Sequence, residues 1–309
     1  MQASNGVRRV LVTGATGFIG RQSLVPLLEQ SFEVHALYNK KSIGTDPRIV
    51  WHHADLLDDG SASRLCSELQ PTHLLHFAWY VDPKDYKISE ENKKWVGATL
   101  DLLRAFQKNG GKRAVLAGTC MEYDWGVPQG VLAEGSSPIA PNTPYGKAKN
   151  ETRIAAEEFA RVNDLSLAWG RIFYLYGPHE AALRLVPYVI NSLLDGTPAL
   201  CTSGEQIRDY SHVSDVAEAF IALLDSDICG AVNIGSGKGI VLKDLLYTIA
   251  GLLGKRELLE LGAKQTPENE PHRIVADISR LSKGTNWHPQ ISLEAGLQAT
   301  IDWWTHHRA

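Results

Sequence analysis

The sequence contains little cysteine, and its spacing suggests no pairing. Cys66, Cys120, Cys201 and Cys229 are scattered over 309 residues without a C-x-x-C arrangement. A disulfide framework needs a denser set of cysteines, and a zinc site needs paired Cys or His ligands. We therefore expect reduced thiols and no metal site. A nucleophilic Cys120 is the alternative, disfavoured because its neighbours in the sequence supply no His partner.

Long apolar stretches and blocks of like charge are also missing. No segment approaches the ~20 apolar residues that span a bilayer, and the chain start has no apolar signal region. The formal net charge is −4, which offers phosphate backbones no attraction. The sequence therefore predicts a cytoplasmic protein that binds neither nucleic acid nor membrane.

Short apolar runs alternate with helical patterns through the first half of the chain. Strands are predicted at 9–13, 33–38, 49–53, 73–79, 113–118 and 166–173, with the first helix at 18–29. This alternation is typical of an α/β fold with a doubly wound parallel (Rossmann) sheet. Helices predicted at 185–195 and 213–224 lie in a looser second half, which suggests a smaller mixed α/β substrate lobe. We assign 1–175 to a dinucleotide-binding domain, to which about 205–235 returns, and 176–309 mainly to the lobe.

A glycine-rich turn follows the first predicted strand. Gly14, Gly17 and Gly20 form a G-x-x-G-x-x-G pattern between a strand and a helix. Such glycines allow a tight turn, a close backbone approach to pyrophosphate and close helix packing, and the helix N-terminus attracts the anion. The sequence therefore predicts an NAD(P) site. Its predicted residues are Gly14, Thr16, Gly17, Phe18, Ile19, Gly20, Tyr38, Asn39, Lys40, Asp55, Leu56, Ala78, Tyr145 and Lys149.

The end of the second strand favours NADP(H) over NAD(H). NAD sites usually carry a carboxylate there for the ribose hydroxyl, whereas this chain has Asn39, Lys40 and Lys41. Ammonium groups would attract a 2′-phosphate, and Arg21 could help. A solvated lysine loop is the alternative.

Tyr145 and Lys149 are the predicted proton-transfer pair. Residues four apart lie on one face of a helix. A phenol with a pKa near ~10 needs a neighbouring cation to act at neutral pH, and Lys149 supplies it. Thr119, at the end of a predicted strand, adds a hydrogen bond to the reacting oxygen. Together they predict hydride transfer coupled to proton transfer.

These motifs resemble the extended short-chain dehydrogenase/reductase superfamily, in its branch of nucleotide-sugar epimerases, dehydratases and ketoreductases. H-F-A at 76–78, Y-G-P at 176–178, Q-I-R-D at 206–209 and N-I-G at 233–235 add to the likeness. The resemblance implies a nucleotide-sugar substrate and a homodimer formed through helices at 91–108 and 145–162. The predicted substrate-binding residues are Trp79, Tyr123, Tyr174, Arg184, Arg208 and Arg273. Arg208 and Arg273 are expected on the diphosphate.

Departures from the family patterns separate the possible reactions. Family 4,6-dehydratases have an Asp-Glu pair after the catalytic Thr, where this chain has Cys120 and Met121. The double epimerases use a Cys and a His, at the places of Met121 and Arg184. The leading prediction is therefore NAD(P)H-dependent reduction of an NDP-4-keto-6-deoxyhexose by a 4-ketoreductase. The alternatives are an NDP-sugar 4-epimerase acting through a transient ketone and a non-catalytic dinucleotide-binding sensor.

Overall fold

The computed structural model of the chain describes residues 6–44, 46–126, 130–268 and 270–307. Its strands are β1 (Arg9–Thr13), β2 (Glu33–Tyr38), β3 (Val50–His53), β4 (His73–His76), β5 (Arg113–Thr119), β6 (Ser166–Ile172), β7 (Tyr174–Tyr176), β8 (Ala199–Leu200), β9 (Ile207–His212), β10 (Gly230–Ile234), β11 (Gly239–Val241), β12 (Leu259–Glu260) and β13 (Arg273–Ile274). Its α-helices are α1 (Gly20–Glu29), α2 (Ser61–Leu69), α3 (Glu91–Lys108), α4 (Pro144–Val162), α5 (Leu185–Leu194), α6 (Val213–Leu224), α7 (Leu242–Leu252), α8 (Ser279–Thr285) and α9 (Leu293–His306).

A parallel sheet of seven strands, in the order β10-β6-β5-β4-β1-β2-β3, forms the centre of the fold. Its central strands are apolar because helices cover both faces; every residue of β5 is buried. Helices α1 and α6 pack together on one face, and α2, α3 and α4 pack on the other. The doubly wound sheet predicted from the sequence is thereby confirmed.

The smaller lobe is built around a mixed sheet. Strand β9 pairs with β7 and β13 in parallel and with β11 antiparallel, and a third core lies among α5, α7 and α9. Of the segment expected to return to the first domain, α6 and β10 pack with the large sheet, whereas β9 belongs to the small one. The predicted mixed α/β lobe is confirmed, and the boundary at 175 stays a prediction.

Two predicted element boundaries differ from the structure by more than one residue. The strand predicted at 73–79 ends at His76, where the parallel ladder with β1 stops at the Thr13–His76 pair. The helix predicted from residue 18 begins at Gly20, because the preceding residues form a turn closed by Gly17 N–H donating to Gly14 C=O at 2.9 Å. Both differences lengthen the loops at the carboxyl edge of the sheet relative to the prediction. Within the residues that the structure describes, no helix is long and apolar enough to cross a membrane.

A buried histidine ends β4 and makes the fold sensitive to acid. The ring nitrogens of His76 lie 2.7 Å from Thr13 Oγ1 and 3.0 Å from Thr99 Oγ1. Burial lowers the pKa of His76 to about 3, so the folded chain keeps this ring neutral. Below pH ~6.5 the unfolded chain binds a proton that the folded chain does not, and stability must fall with pH.

We expect His76→Gln to lose less stability than the wild type on acidification from pH 7 to 5. The histidine contributes up to about 1.4 kcal/mol of lost stability per pH unit below its unfolded pKa. Urea unfolding at both pH values measures the difference, and exposed His288→Gln is the control. An equal loss in His76→Gln and the wild type would contradict the assignment.

Candidate active site

A cleft of about 620 Å³ opens at the carboxyl ends of the large sheet. The strand order reverses between β1 and β4, and ligands of open α/β sheets bind at such a reversal. The cleft is lined by the glycine turn after β1, the ends of β2 and β5, the loop after β4, the start of α4 and the loop before α5. One continuous cavity therefore joins the predicted cofactor site to the smaller lobe.

The glycine turn packs so tightly against neighbouring backbone that a side chain at Gly14 or Gly20 would not fit. Gly14 has a φ of +66°, and a Cβ there would lie 2.7 Å from the backbone nitrogen of Ala78. A Cβ on Gly20 would lie 2.2 Å from the carbonyl oxygen of Gly14. No side chain caps the start of α1; within its first turn the Arg21 and Gln22 N–H groups donate to the carbonyl oxygens of Gly17 and Ile19 at 3.2 and 3.0 Å. This cradle fits the pyrophosphate of a dinucleotide.

Most of the predicted cofactor residues line the cleft. They are Gly14, Thr16, Gly17, Phe18, Ile19, Gly20, Tyr38, Asn39, Asp55, Leu56, Ala78, Tyr145 and Lys149. At the end of β2, Asn39 Nδ2 donates to Asp55 Oδ2 at 2.9 Å, so these two side chains form one polar wall. Lys40 is exposed and lies outside the lining. Arg21 also lies outside it, and its Nη2 donates to Thr16 C=O at 2.8 Å.

Gly14→Ala should weaken dinucleotide binding about tenfold or more. The new methyl group would force the turn open against the backbone of the loop after β4. Titration of the purified variant with NAD measures the effect. Gly135→Ala is the control, because a Cβ at that loop position meets nothing within 4 Å. Equal affinity in both variants would show that the turn does not hold the cofactor.

Helix α4 presents Tyr145 and Lys149 to the cleft. It begins with Pro144 after Thr143, whose Oγ1 accepts from Gly146 N–H at 3.1 Å; proline favours this first position, since its missing N–H is not needed there. Tyr145 and Lys149, one turn apart, are both buried and both line the cleft. Lys147 points away and is exposed.

Thr119, the last residue of β5, meets Tyr145. Burial raises the pKa of Tyr145 above its usual value, whereas a hydrogen bond with the Thr119 side chain lowers it. The phenol is therefore protonated in the free protein. It needs further positive charge nearby before it can act as a base.

A backbone carbonyl and an indole ring hold the side-chain nitrogen of Lys149 at the wall of the cleft. Its Nζ donates to Ala117 C=O at 2.9 Å and lies 3.7 Å from the Trp79 ring centroid. Burial lowers the pKa of Lys149 to about 7, and the charge of Glu122 opposes this shift. Near neutral pH this amine can therefore take up or release a proton with little free-energy difference.

Glu122 anchors the end of β5 from inside the core. Its Oε1 accepts from Thr119 N–H at 2.9 Å and from Trp169 Nε1 at 2.8 Å. Its Oε2 accepts from Arg171 Nε at 2.8 Å, and both charged side chains are at most 2% exposed. A fully buried ion pair thus fixes the backbone that carries Thr119. The sequence prediction omits residue 122 because Trp169 and Arg171 lie on another strand, although the T-x-x-E spacing from Thr119 is a capping-box pattern.

The half of the cleft away from the glycine turn is largely aromatic. Trp79 donates from Nε1 to Asn92 Oδ1 at 2.8 Å, and the Tyr86 ring packs edge-on against Tyr145, with centroids 5.0 Å apart. The aromatic residues that line this half are Trp79, Tyr86, Trp95, Trp125, Phe173, Tyr174 and Tyr210. Only Trp79 and Tyr174 were predicted, although the density of aromatics between residues 79 and 95 could have indicated more.

The structure does not bring Arg208 to the cleft. Its guanidinium is 2% exposed and ion-paired with Glu270, and it packs over the Tyr174 ring. Arg273 also lies outside the lining, where its Nε donates to Gly130 C=O at 2.8 Å. Both arginines are occupied by partners 62 and 143 residues away in the chain, which no local pattern reveals.

Of the other two predicted substrate residues, only one lines the cleft. Arg184 does, and its Nη1 donates to the Tyr86 hydroxyl at 3.2 Å. Tyr123 is buried elsewhere, with its hydroxyl donating to Asn233 Oδ1 at 2.7 Å. Arg184 is therefore the one predicted arginine placed to meet a ligand anion in the described cleft.

Cys120 is buried beside Thr119. Burial raises the pKa of its thiol to about 12, so the nucleophilic thiolate is not available near neutral pH. Among the described residues, no group of three His, Cys, Asp or Glu side chains could hold a metal ion.

Known proteins similar to this chain include nucleotide-sugar epimerases and dehydratases. UDP-glucose 4-epimerase of Rhizobium meliloti is 27% identical, with 95% of this chain and 96% of the relative covered. The dTDP-glucose 4,6-dehydratase of Neisseria gonorrhoeae is 26% identical, with 97% and 96% covered. The solved structure of Thermus thermophilus UDP-glucose 4-epimerase in complex with NAD is 27% identical, has a TM-score of 0.84 and covers 96% of this chain and 99% of that one.

The family profile agrees with the site as well. The profile of the NAD dependent epimerase/dehydratase family matches residues 10–235. This range contains the glycine turn, Thr119, Tyr145 and Lys149, and it confirms the resemblance inferred from the motifs. The chain is an enzyme of the NAD dependent epimerase/dehydratase family.

Proposed function

We propose that the protein is an NDP-sugar 4-epimerase that acts through a transient 4-ketone and retains NAD. The observation that carries the proposal is the meeting of Thr119, Tyr145 and Lys149 at the cleft, while the two residues after Thr119 bear no carboxylate. This set can move a proton at a sugar hydroxyl. It lacks the Asp-Glu pair that serves as acid and base for water elimination in the family dehydratases.

The chain's own residues account for the proton transfers. Tyr145 takes the proton from the C4 hydroxyl as the carbonyl forms, and Lys149 stabilises the phenolate when its amine is protonated. Thr119 holds the reacting oxygen by a hydrogen bond. A dinucleotide held by the glycine turn would supply the hydride acceptor for the oxidation and the hydride donor for the reduction on the opposite face of the ketone. Tyr145 returns the proton to the C4 oxygen as the epimer forms.

Two observations favour this proposal over the ketoreductase ranked first from the sequence. The relatives include UDP-glucose 4-epimerases that match over nearly the whole chain. The preference for NADP depends on Lys40, Lys41 and Arg21, and none of the three lines the cleft. The Asn39–Asp55 wall itself offers a 2′-phosphate no cationic partner. Cofactor that is regenerated in each cycle needs no exchange, which suits an epimerase.

The test compares two reactions on the same purified protein. Conversion of UDP-glucose to UDP-galactose, followed by NMR without any added reductant, is the expected result. Loss of NADPH absorbance with NDP-4-keto-6-deoxyhexoses, and no epimerisation, would establish the ketoreductase instead. Activity in neither assay, together with tight dinucleotide binding, would favour the sensor.

A further inference from the structure

A half-buried glutamate in the wall of the cleft has one buried carboxyl oxygen without a hydrogen-bond partner. Glu180 follows β7, and its Oε2 is buried and accepts no hydrogen bond. The other described side chains with an unpartnered buried polar atom lie outside the lining; they are Arg21, Trp51, Arg113, Asn191, Ser211, His212 and Trp304. A buried polar atom without a hydrogen bond costs free energy, so this unpaired oxygen needs an explanation. The position in the cleft indicates that a ligand provides it.

The surroundings of Glu180 define the kind of ligand group. Arg184 is the neighbouring cation, but its Nη1 is directed to the Tyr86 hydroxyl, and burial outweighs its charge and raises the pKa of Glu180 to about 8. The carboxyl group is therefore protonated at neutral pH and can both donate and accept. The half-buried phenol of Tyr210 is a second titratable group beside it. A neutral hydroxyl, itself a donor and an acceptor, matches this site.

We propose that Glu180 contacts the substrate by hydrogen-bonding a hydroxyl of the sugar ring. The inference rests on the proposed function, because it takes a nucleotide sugar as the ligand. Tyr86 packs against Tyr145 and accepts a hydrogen bond from Arg184, so one tyrosine contacts both the proton-transfer group and the cation beside Glu180. We expect the hydroxyl that Glu180 binds to be a different one from the C4 hydroxyl that Tyr145 deprotonates. An ammonium substituent would be disfavoured by the charge of Arg184.

The variants Glu180→Leu and Glu180→Gln separate this contact from a structural role. Leucine removes both hydrogen-bonding functions, and we expect the KM for UDP-glucose to rise about 10- to 100-fold with a smaller change in kcat. Glutamine keeps a donor and an acceptor and should stay within about threefold of the wild type. Neither variant should melt below the wild type, because the free protein loses an unpaired buried group rather than a bond.

Binding of deoxy analogues identifies the hydroxyl. UDP-glucose and its monodeoxy forms at C2, C3 and C6 are titrated against the wild type and Glu180→Leu. The wild type should bind one deoxy form about tenfold more weakly than UDP-glucose, and the leucine variant should bind both equally. Unchanged affinity of Glu180→Leu for UDP-glucose would overturn the inference.

Binding of UDP, which lacks the sugar, distinguishes failure of the Glu180 inference from failure of the proposed function. It should bind the wild type and Glu180→Leu equally. Failure of the wild type to bind either UDP or UDP-glucose would overturn the nucleotide-sugar proposal and this inference with it. Binding without epimerisation would overturn only the proposed reaction, and the deoxy series would still decide the contact.

Discussion

Tyr145→Phe should lower the rate of sugar epimerisation by about 10²- to 10⁴-fold, because it removes the group that transfers the proton. The phenyl ring keeps its edge-on contact with Tyr86, so the cleft should retain its shape. NAD and UDP should therefore bind with unchanged affinity. The loss should appear in kcat, measured by NMR with saturating UDP-glucose.

Tyr247→Phe is the matched control. That tyrosine lies on α7 and is 44% exposed, so loss of its hydroxyl should leave turnover as it is. A Tyr145→Phe variant with wild-type turnover would show that another group moves the proton. A variant that no longer binds NAD would show instead that the phenol acts in cofactor binding.

Glu122→Leu should destabilise the fold by about 3–5 kcal/mol, the cost of leaving a buried charge without its partner. Arg171, 2% exposed, loses the carboxylate that neutralises it. The Trp169 indole and the Thr119 amide lose their acceptor as well. Urea unfolding followed by fluorescence measures the change.

A second substitution distinguishes the ion pair from simple packing. Adding Arg171→Met to Glu122→Leu removes the orphaned charge and should recover most of the lost stability, since an apolar pair of similar volume replaces a buried ion pair at little cost. Glu158→Leu, which breaks an exposed pair with Arg161 on α4, should have little effect. Additive losses in the double variant would contradict this reading of the cluster.

The predicted site residues that the structure brings to the cleft include those defined by local spacing. The glycine turn is one strand-to-helix connection, and Tyr145 and Lys149 lie one helical turn apart. Each pattern is complete within about twenty residues of chain, so backbone geometry alone brings its members to the cleft. Thr119 could be placed because carboxyl ends of parallel strands meet at one edge.

The parts that sequence did not place depend on distant partners. Arg208 looks free in the sequence, yet Glu270 neutralises it in the fold. Glu122 and Glu180 carry the same carboxyl group, but one is saturated by Arg171 and Trp169 while the other keeps an unpaired oxygen. Only the three-dimensional arrangement distinguishes an anchoring carboxylate from one that awaits a ligand.

The tryptophans that line the cleft should make the intrinsic fluorescence of the protein sensitive to the redox state of a bound nicotinamide. Trp79, Trp95 and Trp125 line it, and the Trp79 and Trp95 rings lie 6.2 Å apart. Reduced nicotinamide absorbs light in the range in which indole emits, whereas oxidised nicotinamide does not. Ultraviolet excitation of the unlabelled enzyme should therefore reveal, through energy transfer, the moments at which its cofactor carries the hydride.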